Sequence, residues 1–146
     1  MIHAQFEKFA AELPTAAVGA TATSTLTIDR LGYDHVSVSA IRASNASTVF
    51  ASVLKVEESD VSNSGFTDVT ALVGGGSGGF TIPAVSATES AAIVQMDIDC
   101  KARKRYIKVS MTPGASATLG IVAGMSRAEV APTNAAGKGV IGWVVG

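Results

Sequence analysis

The chain has almost none of the residues from which metal sites and disulfides are built. It contains one cysteine, Cys100, and two histidines, His3 and His35, in 146 residues. A single cysteine excludes an intrachain disulfide and a zinc site made of thiolates. Two histidines far apart in the chain would need carboxylates from other segments to complete a tetrahedral site. We therefore predict no metal and no cofactor, and a buried structural role for Cys100.

Charge and aromatic residues are also scarce. Charged residues make up 16% of the chain and aromatic residues 5%, whereas soluble domains average roughly 25% charged residues. No apolar run approaches the roughly 18–20 residues that span a bilayer, and Glu7 and Lys8 lie where a signal peptide would need its apolar core. The net charge of −1 gives no general attraction to nucleic acid or membrane. A chain so poor in charge is expected to cover part of its surface with other chains.

The N-terminal residues show a helical spacing of apolar side chains. Ile2, Phe6, Phe9 and Leu13 would share one face of a short helix, which Pro14 would end. We therefore predict an N-terminal arm or helix over residues 1–20, with Phe6 and Phe9 as interface candidates. A short helix must dock on something, and two alternatives remain open: its own domain or a neighbouring subunit.

The remaining residues, 21–146, are predicted to form a β-sandwich domain. Apolar and polar residues alternate with a period of two, and turn residues separate the runs. No internal helical pattern is long enough for a crossover between parallel strands. The predicted class is therefore all-β, an antiparallel two-sheet sandwich resembling a jelly roll, because about eight strands fit two Greek keys. The predicted strands cover residues 23–28, 33–43, 49–57, 80–82, 91–100, 106–111, 117–127 and 140–145, with a long loop over 58–79.

Residues 74–79, GGGSGG, satisfy two catalytic patterns by spacing alone. The dinucleotide-binding pattern needs a helix after its glycines, but Pro83 follows closely. The nucleophile-elbow pattern around Ser77 needs a catalytic histidine later in the chain, and both histidines come earlier. The run is predicted to be a loop, and the protein is predicted not to be an enzyme.

The densest charge lies between two predicted strands, at Arg103, Lys104 and Arg105, followed by Tyr106. One adjacent aromatic is too little to favour nucleic acid. Two other interpretations remain open. The cluster could pair with Asp97, Asp99 and other carboxylates of its own chain, or it could anchor the protein on the acidic surface of a partner. Arg103, Lys104 and Arg105 are therefore interface candidates, while Glu57, Glu58 and Asp60 are interpreted as a solvated strand end.

Five sequence blocks resemble a known family. They are similar to segments of small virion proteins of tailed bacteriophages, namely capsid decoration, or cement, proteins, and they occur in the same order from about residue 21 to residue 129. The blocks are IDRLGYD at 28–34, LKVEESD at 54–60, GGFTIP at 78–83, RKRYIKVSMTPG at 103–114 and SRAE at 126–129. The resemblance implies a β-sandwich on the outer capsid surface, oligomeric and without catalytic residues. Residues 1–20 depart from the pattern.

The predicted function is therefore structural. We expect a virion protein, made in the host cytoplasm, that decorates and stabilises a capsid by binding the major capsid protein. Self-association is expected, with a trimer favoured, because the charge deficit implies apolar surface covered by like chains. The alternative is a virion β-sandwich that binds a host-surface glycan or receptor, for which the single tryptophan, Trp143, would be the stacking residue.

Overall fold

The computed structural model describes residues 7–86, 91–128 and 133–141. Within these ranges the chain forms β-strands and no helix, so none of the described segments could cross a lipid bilayer as a helix. The described strands are β1 (Lys8–Glu12), β2 (Ser24–Asp29), β3 (Tyr33–Ala43), β4 (Ala51–Ser59), β5 (Thr67–Val73), β6 (Ala91–Asp99), β7 (Tyr106–Pro113) and β8 (Leu119–Ala128).

The described strands form two antiparallel four-stranded sheets. Sheet I has the order β1-β8-β3-β6 and sheet II the order β2-β7-β4-β5. The first strand pairs with the eighth, the second with the seventh, the third with the sixth and the fourth with the fifth. This nested pairing is the arrangement of a jelly roll, in which a long hairpin is rolled into two Greek keys. It confirms the predicted two-sheet sandwich.

The core lies between the sheets and follows the period-two alternation. In β3 the even-numbered residues from Val36 to Arg42 are buried, and the odd-numbered residues between them are only partly buried. Cys100 is fully buried beside this strand, and its burial raises the pKa of the thiol to about 11. Its predicted core position is confirmed.

The predicted N-terminal helix is wrong for the described residues, because Lys8–Glu12 form a strand on β8. Phe9 and Leu13 are four positions apart, which is close to one helical turn but is also a multiple of two, so the two side chains share a face on a strand as well. Pairing with β8 also provides partners for backbone groups that a helix would leave open at the sheet edge. Ile2 and Phe6 lie outside the described residues.

Three other local predictions differ from the structure. Strand β5 lies inside the predicted long loop and is held by β4 through a ladder with a register shift between Lys55 and Glu57. The predicted strand at 80–82 is reduced to one bridge, between Gly74 and Phe80. Residues 140 and 141 are not in a strand, and the remainder of that predicted strand, including Trp143, lies outside the described residues.

Candidate interaction surface

The basic residues lie in the turn between β6 and β7, and two of them pair with carboxylates of the same chain. Arg105 contacts Asp29 through two hydrogen bonds, Nε to Oδ1 at 3.0 Å and Nη2 to Oδ2 at 2.7 Å. Arg103 Nη1 lies 3.4 Å from Glu58 Oε1, and the backbone N–H of Lys104 donates to Glu58 Oε2 at 3.1 Å. The turn is therefore fastened to β2 and β4 of its own subunit.

Arg30 also holds this turn, through hydrogen bonds to its backbone. Its guanidinium donates to the backbone carbonyls of Lys104, at 3.0 Å, and of Arg103. These bonds satisfy carbonyls that lie outside the sheet ladders, as buried and half-buried backbone groups require. The cluster is therefore built into the fold, and much of its charge is already neutralised.

Among the described residues, neither Asp97 nor Asp99 forms an ion pair with Arg103, Lys104 or Arg105. Asp97 lies near His35, with Oδ1 3.8 Å from Nε2, and Asp99 accepts a hydrogen bond from the backbone N–H of Lys101 at 3.1 Å. The side chains of Glu57 and Glu58 are only 12% and 15% exposed, so describing them as part of a solvated strand end was wrong. Glu57 pairs with Lys108 across the sheet, and Glu58 pairs with Arg103 of the turn.

The outer face of sheet II carries a continuous ion-pair network. Lys55 Nζ lies 2.8 Å from Asp68 Oδ1 and 3.4 Å from Glu57 Oε1, while Lys108 Nζ lies 2.9 Å from Glu57 Oε2. Burial of the Glu57 carboxyl favours its neutral form, but Lys108 and Lys55 together outweigh burial and lower its pKa. Lys108 also lies 4.4 Å from the centre of the Phe66 ring. This face is charged, internally paired and suited to water.

The outer face of sheet I is different at the end where β1 stops and β8 begins. Val122 and Ile93 project outward and are 37% and 63% exposed, and Leu13, which follows β1, is 72% exposed. Ile41 lies between Gly120 on one side and Ile93 on the other. Leu13, Ile41, Gly120 and Val122, together with nearby alanines, line an apolar groove of about 250 Å³. We call this surface the apolar groove.

Two glycines of β8 shape this face of sheet I. Gly120 and Gly124 occupy outward positions on either side of Val122, so from residue 120 to residue 124 the strand carries only one outward side chain. Leu13 lies over Gly120, and the Phe9 ring lies over Gly124 at 3.4 Å from where a Cβ would be. Phe9 therefore packs on its own β8, beside the polar residues of the same face.

The other end of the same face is polar. His35 Nδ1 lies 3.2 Å from Ser126 Oγ, and Gln95 Nε2 donates to Ser37 Oγ at 3.0 Å. Serine, histidine and aspartate meet here, but the 3.8 Å between His35 and Asp97 exceeds hydrogen-bond distance. A catalytic triad needs the carboxylate to orient the imidazole through such a bond. We interpret these groups as a polar border of the apolar groove.

The sequence contains one indication of this surface, namely apolar residues at outward positions of the strands. Ile93, Ile41 and Val122 are apolar residues in the outward phase of their strands, where a solvated face would carry polar residues. A second unrecognised residue is Arg42, which is 2% exposed and donates to the carbonyls of Val49 and Ser47 at 2.7 and 3.2 Å.

The described residues contain no group of three or more His, Cys, Asp or Glu side chains placed to hold a metal ion. No protein-family model matches the chain, and the search of curated proteins finds no matching relative. The role of this surface therefore has to follow from its geometry and from the five sequence blocks.

Proposed function

We propose that the protein is a decoration protein of a tailed-bacteriophage capsid, which binds the major capsid protein and stabilises the assembled shell. The five sequence blocks support the family, and the jelly-roll sandwich is compatible with it. The observation that carries the mode of attachment is the apolar groove on the outer face of sheet I. An exposed apolar centre bordered by polar groups is the usual composition of a protein–protein interface.

The groove favours attachment through apolar side chains of the capsid rather than through its acidic residues. Val122, Ile41 and Leu13 supply apolar surface, whereas Arg103 and Arg105 already pair within the chain. Exposed ion pairs contribute only about 0–1 kcal/mol each and weaken with salt. Many modest apolar contacts, repeated over a symmetric shell, give strong attachment through effective concentration. Attachment should therefore persist at moderate salt.

The test uses particles purified without the protein and then incubated with recombinant chain. Val122→Glu places a charge in the groove and should reduce occupancy on the particle. Val53→Glu is the matched control, because Val53 has the same 37% exposure but lies on β4 of sheet II. We expect hundreds of wild-type copies per particle, loss with V122E and retention with V53E. Equal occupancy of both variants would contradict attachment through the groove, and a handful of wild-type copies would contradict the decoration role itself.

The alternative function, binding of a surface glycan, receives no specific support. Sugar sites use exposed aromatic rings for stacking. Tyr106 lies 5.0 Å from the guanidinium of Arg105 and Phe66 lies under Lys108, so both rings already have a cation of the same chain beside them. Trp143 lies outside the described residues. The decoration role is therefore the function we propose.

A further inference from the structure

Strand β6 forms a long and regular edge of sheet I. It spans nine residues, Ala91–Asp99, and pairs with β3 without any register shift. Within the described residues, no backbone hydrogen bond beyond this ladder involves the strand. An edge strand of this kind presents a row of unpaired N–H and C=O groups, on which another strand can pair.

The direction of the free groups follows from one hydrogen bond. The N–H of Cys100 donates to the carbonyl of Asp34 at 2.8 Å, continuing the register in which Ile98 faces Val36. In an antiparallel pair, successive residues direct their backbone groups to opposite sides. The even-numbered residues of β6 therefore bond to β3. The odd-numbered residues direct their N–H and C=O groups to the free edge, and these are Ala91, Ile93, Gln95, Asp97 and Asp99.

Strand β6 is the least protected of the four described sheet edges. Edge strands are usually protected by bulges, charged side chains (lysine above all), proline or short length. At β1, the carbonyl of Lys138 accepts a hydrogen bond from the N–H of Phe9. Strand β5 belongs to the ladder with a register shift, and β2 has only six residues. Strand β6 has no bulge, its sequence, AAIVQMDID, contains neither lysine nor proline, and its two charged residues, Asp97 and Asp99, lie in one half of the strand only.

The charge pattern of β6 fits a second copy of itself. Its first half is apolar, with Ala91 and Ile93, and its second half carries Asp97 and Asp99 on the same outward face. In an antiparallel self-pairing centred on Gln95, Ile93 faces Asp97 of the second copy and Ala91 faces Asp99. No carboxylate then faces another carboxylate, an arrangement that would be destabilising.

We propose that two copies of the protein pair through β6, antiparallel about a two-fold axis at Gln95, so that their sheets I join into one continuous sheet. The five outward-directed residues of each strand then exchange backbone hydrogen bonds across the axis. Ile93, which is 63% exposed in the single chain, gains cover from the neighbouring strand. An assembly with a two-fold axis is complete with two copies, so the expected oligomer is a dimer. The low charge content of the sequence had favoured a trimer. This pairing does not depend on the proposed capsid function.

The first experiment measures self-association by analytical ultracentrifugation at micromolar concentration. Gln95→Pro removes an N–H that faces the free edge and leaves the ladder with β3 intact, a position at which an edge strand accepts proline. Gln95→Thr is the matched control, because it also loses the bond to Ser37 but keeps the N–H. We expect wild type and Q95T to be dimers and Q95P to be a folded monomer by circular dichroism. A monomeric or trimeric wild type, or a dimeric Q95P, would overturn the proposal.

The second experiment tests the register. Ile93→Asp would place two carboxylates opposite each other at both symmetric positions and would remove apolar contact, so the dimer should weaken about tenfold. Ile93→Lys removes the same apolar side chain but faces Asp97 of the second copy, so it should keep the dimer. Equal weakening by both variants would contradict this register.

A cross-linking experiment decides the matter if Q95P fails to fold. Opposed residues of a hydrogen-bonded pair have Cα atoms about 5.5 Å apart, within the range of a disulfide. Gln95→Cys should therefore form a covalent dimer on mild oxidation, and the buried Cys100 does not compete. Ser39→Cys is the control, because Ser39 is the neighbour of Gln95 on β3 and would be about 14 Å from its counterpart, three strand spacings of about 4.8 Å away. Absence of a Q95C dimer, or equal cross-linking by S39C, would contradict the pairing.

Discussion

Arg105 and Asp29 join two turns of the sandwich through a two-point ion pair. Arg105 lies in the turn between β6 and β7, and Asp29 ends β2. Asp29 Oδ1 also accepts a hydrogen bond from the N–H of Leu31 at 3.1 Å, within the turn that leads to β3. The hydrogen bond from Arg105 is the main reason why the pKa of Asp29 lies below its usual value. One carboxylate therefore organises both turns at this end of the molecule.

The basic turn offers a matched pair of double variants. Arg103→Ala/Arg105→Ala removes two guanidinium groups that pair with Glu58 and Asp29, and Lys101→Ala/Lys104→Ala removes two ammonium groups that form no ion pair within the described residues. We expect the arginine variant to melt at a lower temperature and the lysine variant to melt like wild type. Melting temperature and particle occupancy are measured on both variants.

Occupancy separates the structural role of the cluster from the predicted anchor role. If the cluster acts within its own subunit, both variants should still decorate particles at temperatures where they are folded. If it anchors the protein on an acidic surface, both should be shed in similar amounts, and moderate salt should shed the wild type. Shedding of the folded lysine variant would contradict the structural interpretation.

The fold was largely predictable from the sequence because most strands have one buried face. Val36 to Ala40 and Ile107 to Met111 alternate between apolar and small or polar residues, and the turn at Asp29–Gly32 has the residues that turns require, with Gly32 at φ +81. Strand β5 escaped prediction because only Val69 in it is buried, so its alternation is weak. The N-terminal pattern predicts a helix where β1 lies, because a four-residue spacing of apolar side chains fits both the helical period of about 3.6 and the strand period of two.

The candidate surface was harder to predict. The partner of each basic residue depends on segments that come together only when the sheets form. Arg103 and Glu58, for example, are far apart in the chain and meet where the β6–β7 turn lies against β4. The apolar groove depends on Leu13, Gly120 and Ile41 lying side by side, which the pairing of β8 with β1 and β3 brings about. Composition indicated that apolar surface would be exposed, but the register of the strands determines where it lies.

Glu57 gives a pH-dependent prediction. Its side chain is 12% exposed and lies between Lys55 and Lys108. Glu57→Gln should lower the free energy of unfolding at pH 7 by about 1–2 kcal/mol, since hydrogen bonds to charged groups are worth more than neutral ones. The pKa of Glu57 in the folded protein is lowered, so its contribution is complete above its unfolded value of about 4.3 and is lost as pH falls through the folded value.

Urea unfolding of wild type and E57Q between pH 7 and pH 3 tests this prediction. The difference between the two proteins should be constant at neutral pH and should shrink at acidic pH. Asp68→Asn is the control, because Asp68 is 49% exposed and, among the described residues, pairs with Lys55 alone, so its effect should be smaller. A variant E57Q that is more stable than wild type at pH 7 would show that burial of the carboxylate costs more than its two lysine partners return.

Arg42 should act as the anchor of the loop between β3 and β4. The side chain is buried, and among the described residues it has no carboxylate partner; its two donated hydrogen bonds go to Val49 and Ser47 of that loop. Arg42→Met keeps most of the apolar stem and removes both bonds. We expect a loss of about 2–3 kcal/mol in the free energy of unfolding and faster hydrogen exchange in the loop. Stability equal to wild type would mean that the cost of burying the guanidinium cancels its bonds.

The last prediction concerns the segment that protects the edge of β1. Gly139 has φ +71, and a Cβ there would overlap the backbone carbonyl of Phe9. Gly139→Ala should therefore separate residues 133–141 from β1, because both the backbone conformation and the close approach exclude a side chain.

Gly75→Ala is the matched control, since Gly75 has φ +73 and nothing within 4 Å of its Cβ position. The control should lose only the backbone cost of about 1–2 kcal/mol. We expect G139A to lose distinctly more and to expose the amide of Phe9 to hydrogen exchange, because that amide donates to Lys138. Protection of Phe9 equal in both variants would show that the segment does not hold this edge.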